Sequence, residues 1–413
     1  MKCNIWRRKH EWIVKGGEEV RIDQRIEQLF DVMNGLMHGQ PGAAVHSLQV
    51  RTYDVVPITP SLGMVAFVAG TTPLKALLTD PALIPGEAIA AADEKYSRFI
   101  MAKGGNLDRA GLRYEKMFRA AGRQETVAHL QSVQSLVRWD SLREALLRVA
   151  GGPELFLSMR GTYTASLAAV SMAGYVAGVG DRHTDNFLVD LNSGALVPID
   201  FGQAPSQLAY HIHPLSCHAG YSFGTAVQVL PIPELMPFRL TRQMSGALQP
   251  HDALALLQPP CTLVMTALRS GKDILEGIMG VFMREPLLDW QREARVVNAK
   301  RSVPASAKDA VSAAETADPA DMHVNLKVDN ARRKLAGEHP ADIMLQELAT
   351  KHGNTAHWQA LQAIVKGDAN HNYRATVMSN QKLNVDDQVR CLLDQATDPN
   401  ILGRSWQGWK PWL

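Results

Sequence analysis

The sequence predicts an α+β chain, with strands confined to the first 72 residues and one short hairpin further on, and helices almost everywhere else. Three observations predict this. Leu48 to Val56 alternates and is rich in β-branched residues, and Met64 to Val68 forms a second apolar run, which is strand patterning. From Pro73 onward apolar residues recur at three- and four-residue spacing instead. With 413 residues, 46% hydrophobic and 20% charged, the chain can bury a sizeable core and is not disordered overall.

Taken in order, Glu11 to Lys15 is a short strand that ends at Gly16-Gly17. Ile22, Ile26, Leu29, Phe30, Met33, Leu36 and Met37 then mark one face of an amphipathic helix. The strand from Leu48 stops at Pro57 and Pro60, which lack the N–H a ladder needs. Pro73 to about Ala150 is helical, and Ala165 to Ala177 is apolar nearly all round, as in a buried helix. Between Phe187 and Ile199 two short apolar runs flank Asn192-Ser193-Gly194, a hairpin turn. Helical signal returns from Pro250 to Trp290, fades from Ser302 to Ala320 into an Ala, Ser, Asp and Lys mixture, and resumes near Ala331. Three of the eight tryptophans, Trp406, Trp409 and Trp412, lie in the last stretch, which is expected to dock.

Several function classes are excluded early. The 43 basic and 41 acidic residues leave a charge of +2, so no global positive field argues for a nucleic-acid coat. Cys3, Cys217, Cys261 and Cys391 are far apart and suggest neither a disulfide framework nor a familiar zinc module. Arg7, Arg8, Lys9, His10 and Glu11 occupy the place of a signal-peptide core, and no apolar run approaches ~18 residues, so neither secretion nor a membrane span is expected.

The chemistry concentrates in Gly180-Asp181-Arg182-His183-Thr184-Asp185-Asn186, the hairpin, and Asp200-Phe201-Gly202. Phosphoryl transfer from ATP needs a carboxylate to orient the attacking hydroxyl and oxygen ligands to hold Mg²⁺ against the phosphates. Asp181, Asn186 and Asp200 supply that set, and Asp181 precedes Asn186 by five positions, the interval of a protein-kinase catalytic loop. Capping of a tight turn is the bland alternative, and it explains neither the spacing nor the hairpin. A lysine over the α and β phosphates, held by a carboxylate from the next helix, is also required. Lys15 fits, with Asp23 or Glu18 as its partner, although a lysine beside Gly-Gly is by itself equally a solvated one.

The order Asp-Arg-His, inverted relative to His-Arg-Asp, with Asp-Phe-Gly downstream, resembles the phosphatidylinositol 3-kinase and related-kinase superfamily. Four segments are similar to the DNA-dependent branch of the related protein kinases: Lys15 to Phe30, Pro231 to Gln243, Ala331 to Gly337, and Asp394 to Trp406. The stretch from about Gln381 to Leu413 resembles the FATC tail that closes those kinases. The resemblance implies a bilobal protein-kinase-like fold of the PI3/PI4-kinase type, with a truncated N-lobe over 1–72 and a C-lobe over 73–300. Within that C-lobe lie the catalytic loop at 180–186 and an activation segment at 200–243. A disordered linker over 301–330, further C-lobe helices over 331–380 and the tail over 381–413 complete it. It implies Asp181 as catalytic carboxylate, His183 as stabiliser of the transferring phosphoryl, and Asn186 and Asp200 as metal ligands. Phe67 and Val68 would sit at the adenine hinge, Phe67 replacing a tryptophan, although Met64 to Val68 reads without the family as a buried strand. ATP and Mg²⁺ would be the cofactors, Ser or Thr followed by Gln the substrate, and the nucleus the site of double-strand break repair by end joining. Contacts to the Ku heterodimer and DNA ends would use regions absent from this chain.

Two departures stand out. Fourteen residues precede Lys15, too few for the paired strands and phosphate-covering loop expected there, which implies a C-terminal fragment or an incomplete gene. The 18 residues Gln203 to Gly220 read as an insertion, because their removal would join Asp-Phe-Gly to Tyr-Ser-Phe-Gly. His211, His213, Cys217 and His218 within it are zinc ligands by residue type, but their spacing matches no common module, and a polar loop is the alternative. A catalytically inactive scaffold therefore stands beside the kinase reading. A lipid kinase is disfavoured, since an anionic headgroup calls for Lys or Arg and none occurs between Gly202 and Phe238.

Overall fold

A computed structural model describes residues 11–17, 20–201, 232–284, 328–352, 356–367 and 382–413. Glu18, the 203–220 insertion and most of the 301–330 linker lie outside the described residues. Two three-stranded antiparallel sheets sit at the N-terminal side of a helical mass.

The first sheet has the order β1-β3-β2, with β1 Trp12–Gly16, β2 Val55–Thr59 and β3 Leu62–Ala66. Lys15 pairs with Gly63 across it. A Cβ at Gly63 would lie 2.1 Å from Val20 Cγ2, so only glycine lets the lead-in to the next helix cover the sheet. That helix, α1 Arg21–His38, buries Ile22, Ile26, Leu29, Phe30, Met33 and Met37, the face the spacing predicts. A short helix, α2 Pro41–Val45, follows. The predicted strand from Leu48 is displaced: 48–54 is irregular, and β2 runs through Pro57. As an edge strand it tolerates the missing N–H, which a central strand would not.

β4 Thr71–Pro73 leaves the first sheet and pairs with β5 Phe187–Asp190, which pairs with β6 Leu196–Pro198. Gly194 at φ +79° turns that hairpin, and a side chain there would also strike Met159. The helical part begins with α3 Leu74–Leu78, α4 Gly86–Gly104, α5 Ala110–Ala120, α6 Arg123–Gln134 and α7 Ser141–Ala150. At its centre lies α8 Pro153–Ala177, longer than the apolar run alone suggests and buried on almost every side from Ser166 to Ala177. Gly178, at φ +70°, ends it and turns the chain into the loop that holds Asp181.

After α9 Arg242–Gly246, the predicted helix from Pro250 divides at Gly271 into α10 Ala253–Ser270 and α11 Lys272–Arg284. Asp252 caps α10 by accepting from the Leu254 and Ala255 N–H groups. Helix α12 spans 328–335, so order begins before Ala331. Asn330 is buried there and donates to Glu347, which takes the last residues out of the expected linker. α13 Pro340–His352, α14 Ala356–Gly367, α15 Val385–Thr397 and α16 Pro399–Leu402 complete the order. The end of the chain docks on α4 and α5. Trp409 and Trp412 are buried while Trp406 stays exposed, and Arg404 donates to the Ala121 carbonyl and Tyr96 to that of Ser405.

Candidate active site

The loop between α8 and β5 is stiffened by its own side chains. Arg182, 6% exposed, donates to three carbonyls: Gly180 at 2.8 Å, Ile199 at 3.0 Å and Asp200 at 2.7 Å. It thereby ties the Asp181 loop to the strand end that carries Asp200. Its guanidinium also lies 5.3 Å from the Phe201 ring and 5.9 Å from that of Phe187. Asp181 and Asp200 have φ of +56° and +58°, left-handed backbone that a non-glycine residue adopts at a cost of about 1–2 kcal/mol. Hydrogen bonds hold Asp181 from both sides. Asn186 Nδ2 donates to its carbonyl at 2.7 Å, and its own N–H donates to Glu234 Oε2 at 3.1 Å. Desolvation, with Asp181 nearby, pushes the Glu234 carboxyl up to about 8 against the pull of that N–H and of Arg182 and Arg239.

His183 Nδ1 accepts the Asp185 N–H at 3.2 Å, so in the neutral ring the proton sits on Nε2 and can be donated elsewhere. Burial lowers the His183 pKa despite Asp181 and Asp185, which favours that neutral form. Asp185 is in turn held by Lys75 at 3.0 Å.

From the N-terminal side, Lys15 Nζ stands 3.9 Å from Asp200 Oδ1. Asp23 Oδ1 accepts the Phe201 N–H at 2.7 Å, and the Phe201 ring packs edge-on against Phe30 of α1 at 5.6 Å. Helix α1 therefore grips Phe201 through a hydrogen bond and a ring contact. Phe67 and Val68 fall where the chain crosses from the first sheet to the second. Phe67 is exposed, with its N–H on the Glu11 carbonyl, and the Val68 carbonyl accepts from Thr71.

The structure thus draws Lys15, Asp23, Asp181, His183, Asn186 and Asp200 to one place. It adds residues that the motif reading did not single out. Arg182 and Glu234 hold the loop backbone, and Tyr53 is half-buried in the electrostatic company of Glu27, Asp23, Arg182 and Asp200. Tyr53 lies in the irregular stretch before β2, whose alternation reads as strand and says nothing of a site.

A divalent cation fits the donors. Asn186 spends its amide N–H on Asp181, which leaves the oxygen of the same amide for a metal, and Asp200 Oδ1 is buried without a hydrogen-bond partner. Among the described residues no cluster of three His, Cys, Asp or Glu could hold a metal alone. Those two oxygens suit a cation that is held by one or two protein ligands together with substrate phosphates.

Comparison with known proteins agrees with this geometry. The phosphatidylinositol 3- and 4-kinase family matches residues 9–292 and the FATC domain matches 382–413. The DNA-dependent protein kinase catalytic subunit of Gallus gallus is 36% identical over 411 residues, covering 98% of this chain and 9% of that protein. Its counterpart in Dictyostelium discoideum is 36% identical over 97% of this chain and 9% of its own length. The serine/threonine-protein kinase mTor of Drosophila melanogaster is more distant, at 26% identity over 97% of this chain and 15% of that protein. Among solved structures the FAT and kinase domain of CtTel1 shares the fold, with a TM-score of 0.58 at 21% identity over 98% of this chain and 22% of that one. The chain spans about a tenth of the DNA-dependent kinases it matches. With the kinase-family match over residues 9–292, the FATC match at 382–413 and 36% identity to such kinases over nearly its whole length, the chain belongs to the phosphatidylinositol 3-kinase-related family of serine/threonine protein kinases.

Proposed function

We propose that this chain is the catalytic end of a kinase of the DNA-dependent type. It would transfer the γ-phosphoryl of ATP to a Ser or Thr hydroxyl, Ser/Thr-Gln by preference, in the nucleus and in double-strand break repair. The observation that carries the reading is the Arg182 clamp on the Gly180, Ile199 and Asp200 carbonyls, which together with the Asn186–Asp181 bond holds Asp181, Asn186 and Asp200 in one constellation. Asp181 would orient the hydroxyl and accept its proton, and His183 Nε2–H would donate to a phosphoryl oxygen as charge develops there. Asn186 and Asp200 would hold Mg²⁺, which when bound neutralises phosphate charge, and Lys15 would meet the α and β phosphates. The branch assignment, and with it the Ku heterodimer and DNA ends as partners, is supported by the 36% identity to proteins named DNA-dependent protein kinase.

The test is phosphate transfer to a Ser-Gln peptide. Asp200→Ala is expected to lower turnover at least about 10³-fold while far-UV circular dichroism stays unchanged. Wild-type turnover in that variant would sink the assignment. Transfer to phosphatidylinositol vesicles in place of peptide would favour the lipid-kinase reading.

A further inference from the structure

Three main-chain oxygens near the end of the chain converge on one buried side chain. Arg239, 1% exposed, donates from Nη1 to the Trp409 carbonyl at 2.6 Å and from Nη2 to the Lys410 carbonyl at 3.0 Å and to the main-chain carboxylate oxygen of Leu413 at 2.8 Å. Its guanidinium lies 4.2 Å from the Trp409 ring. Glu234, on the same segment, accepts the Asp181 N–H. Between them Leu235, Met236 and Phe238 are buried, Pro237 restricts the backbone, and the Leu235 carbonyl accepts from Gln395 of α15 at 2.9 Å. Arg239 also reaches the Arg182 carbonyl at 3.5 Å. This segment is therefore pinned from the C-terminal side at both ends and touches the catalytic loop at two backbone atoms.

We infer that Glu234 and Arg239 are positioning residues through which the C-terminal segment sets the backbone of the catalytic loop at Asp181. The left-handed turn at Asp181 withdraws its N–H from the helical and ladder partners that would otherwise take it, and the side chain of Glu234 supplies the acceptor. Arg239 fixes where that acceptor sits relative to residues 409–413. Docking of the tail and competence of the loop become one event. The catalytic consequence rests on the kinase reading above, whereas the backbone coupling does not.

The experiment is hydrogen exchange resolved to single amides, paired with steady-state kinetics on a Ser-Gln peptide, using the full chain throughout. Glu234→Leu removes the acceptor and is expected to speed exchange of the Asp181 N–H at least about 10-fold. It should lower kcat by a similar factor with KM for ATP unchanged, and leave amides of α7 at their original rates. Glu234→Gln keeps an acceptor oxygen and should rescue most of both effects. Arg239→Lys keeps the charge but loses the fork, and should loosen 406–413 and 180–186 together. Three results would overturn the inference: unchanged exchange at Asp181 in Glu234→Leu, loosening of 406–413 alone in Arg239→Lys, or a rise shared equally by α7. Exchange that behaves as expected in a chain without turnover would remove the kinase reading and leave the coupling standing.

Discussion

At Arg182 a single guanidinium satisfies three carbonyls from two segments, and the planar fork matters more than the charge. Arg182→Lys is therefore expected to cost about 1–3 kcal/mol in urea unfolding and to lower turnover at least about tenfold. A variant as active and stable as the parent would show that the clamp is dispensable. Glu27 makes a different prediction. It is 4% exposed, accepts the Tyr53 N–H through Oε2, and has Oε1 buried without a partner. Burial, opposed by that N–H and reinforced by Asp23 and Asp31, pushes its carboxyl from near 4.5 up to about 9. The folded state thus keeps a proton that the unfolded chain releases near pH 4.5. The stability this group contributes is complete below that pH and is lost as pH rises toward 9, by at most about 1.4 kcal/mol per pH unit. Glu27→Gln should flatten this decline, so that its melting temperature gains on the parent between pH 5 and 8.5; parallel curves would refute the assignment. That Asp181, Asn186 and Asp200 come together was legible in the sequence, because the residue types and the interval that phosphoryl transfer would call for can be matched position by position. Arg182, Glu234 and Arg239 acquire their roles by bonding to backbone atoms, mostly distant in the chain, and such bonds leave no spacing to read.

At the scale of elements, the hairpin that carries Asp200 was legible from Asn-Ser-Gly, since only a turn explains that tripeptide between apolar runs. The passage of β2 through Pro57 was not, because a proline marks an edge strand as readily as a strand end. Nor was the division between α10 and α11 at Gly271. A Cβ there would lie 2.4 Å from Leu36 of α1, so the glycine answers to a neighbouring helix rather than to its own sequence context. The same reasoning applies at Gly63, beneath Val20 and across from Lys15. Gly63→Ala should cost about 1–3 kcal/mol by overpacking and raise KM for ATP, and the double variant with Val20→Ala should recover much of the stability. Additive losses in that double-mutant cycle would place the strain elsewhere.

For the whole molecule, the two sheets and the helical mass meet at Asp200, which faces Lys15 from one side and is tied to Arg182 from the other. A nucleotide bound in that place should stabilise the folded chain by about 2.7 kcal/mol at 100 times its dissociation constant, read as a rise in melting temperature with Mg-ATP. Absence of a rise would favour the scaffold reading. The docked tail has a kinetic side as well. Tyr96 waits for Ser405 across 309 positions, and the carbonyls of Phe118 and Ala121 wait for Arg404 across 286 and 283. Contacts so remote in sequence close late, because loop-closure entropy must be overcome first. During synthesis the surface of α4 and α5 is finished long before the residues that cover it exist. The large lobe therefore spends most of its translation time with polar backbone groups and the Tyr96 ring awaiting their partners. That interval is when a chaperone would have something to hold.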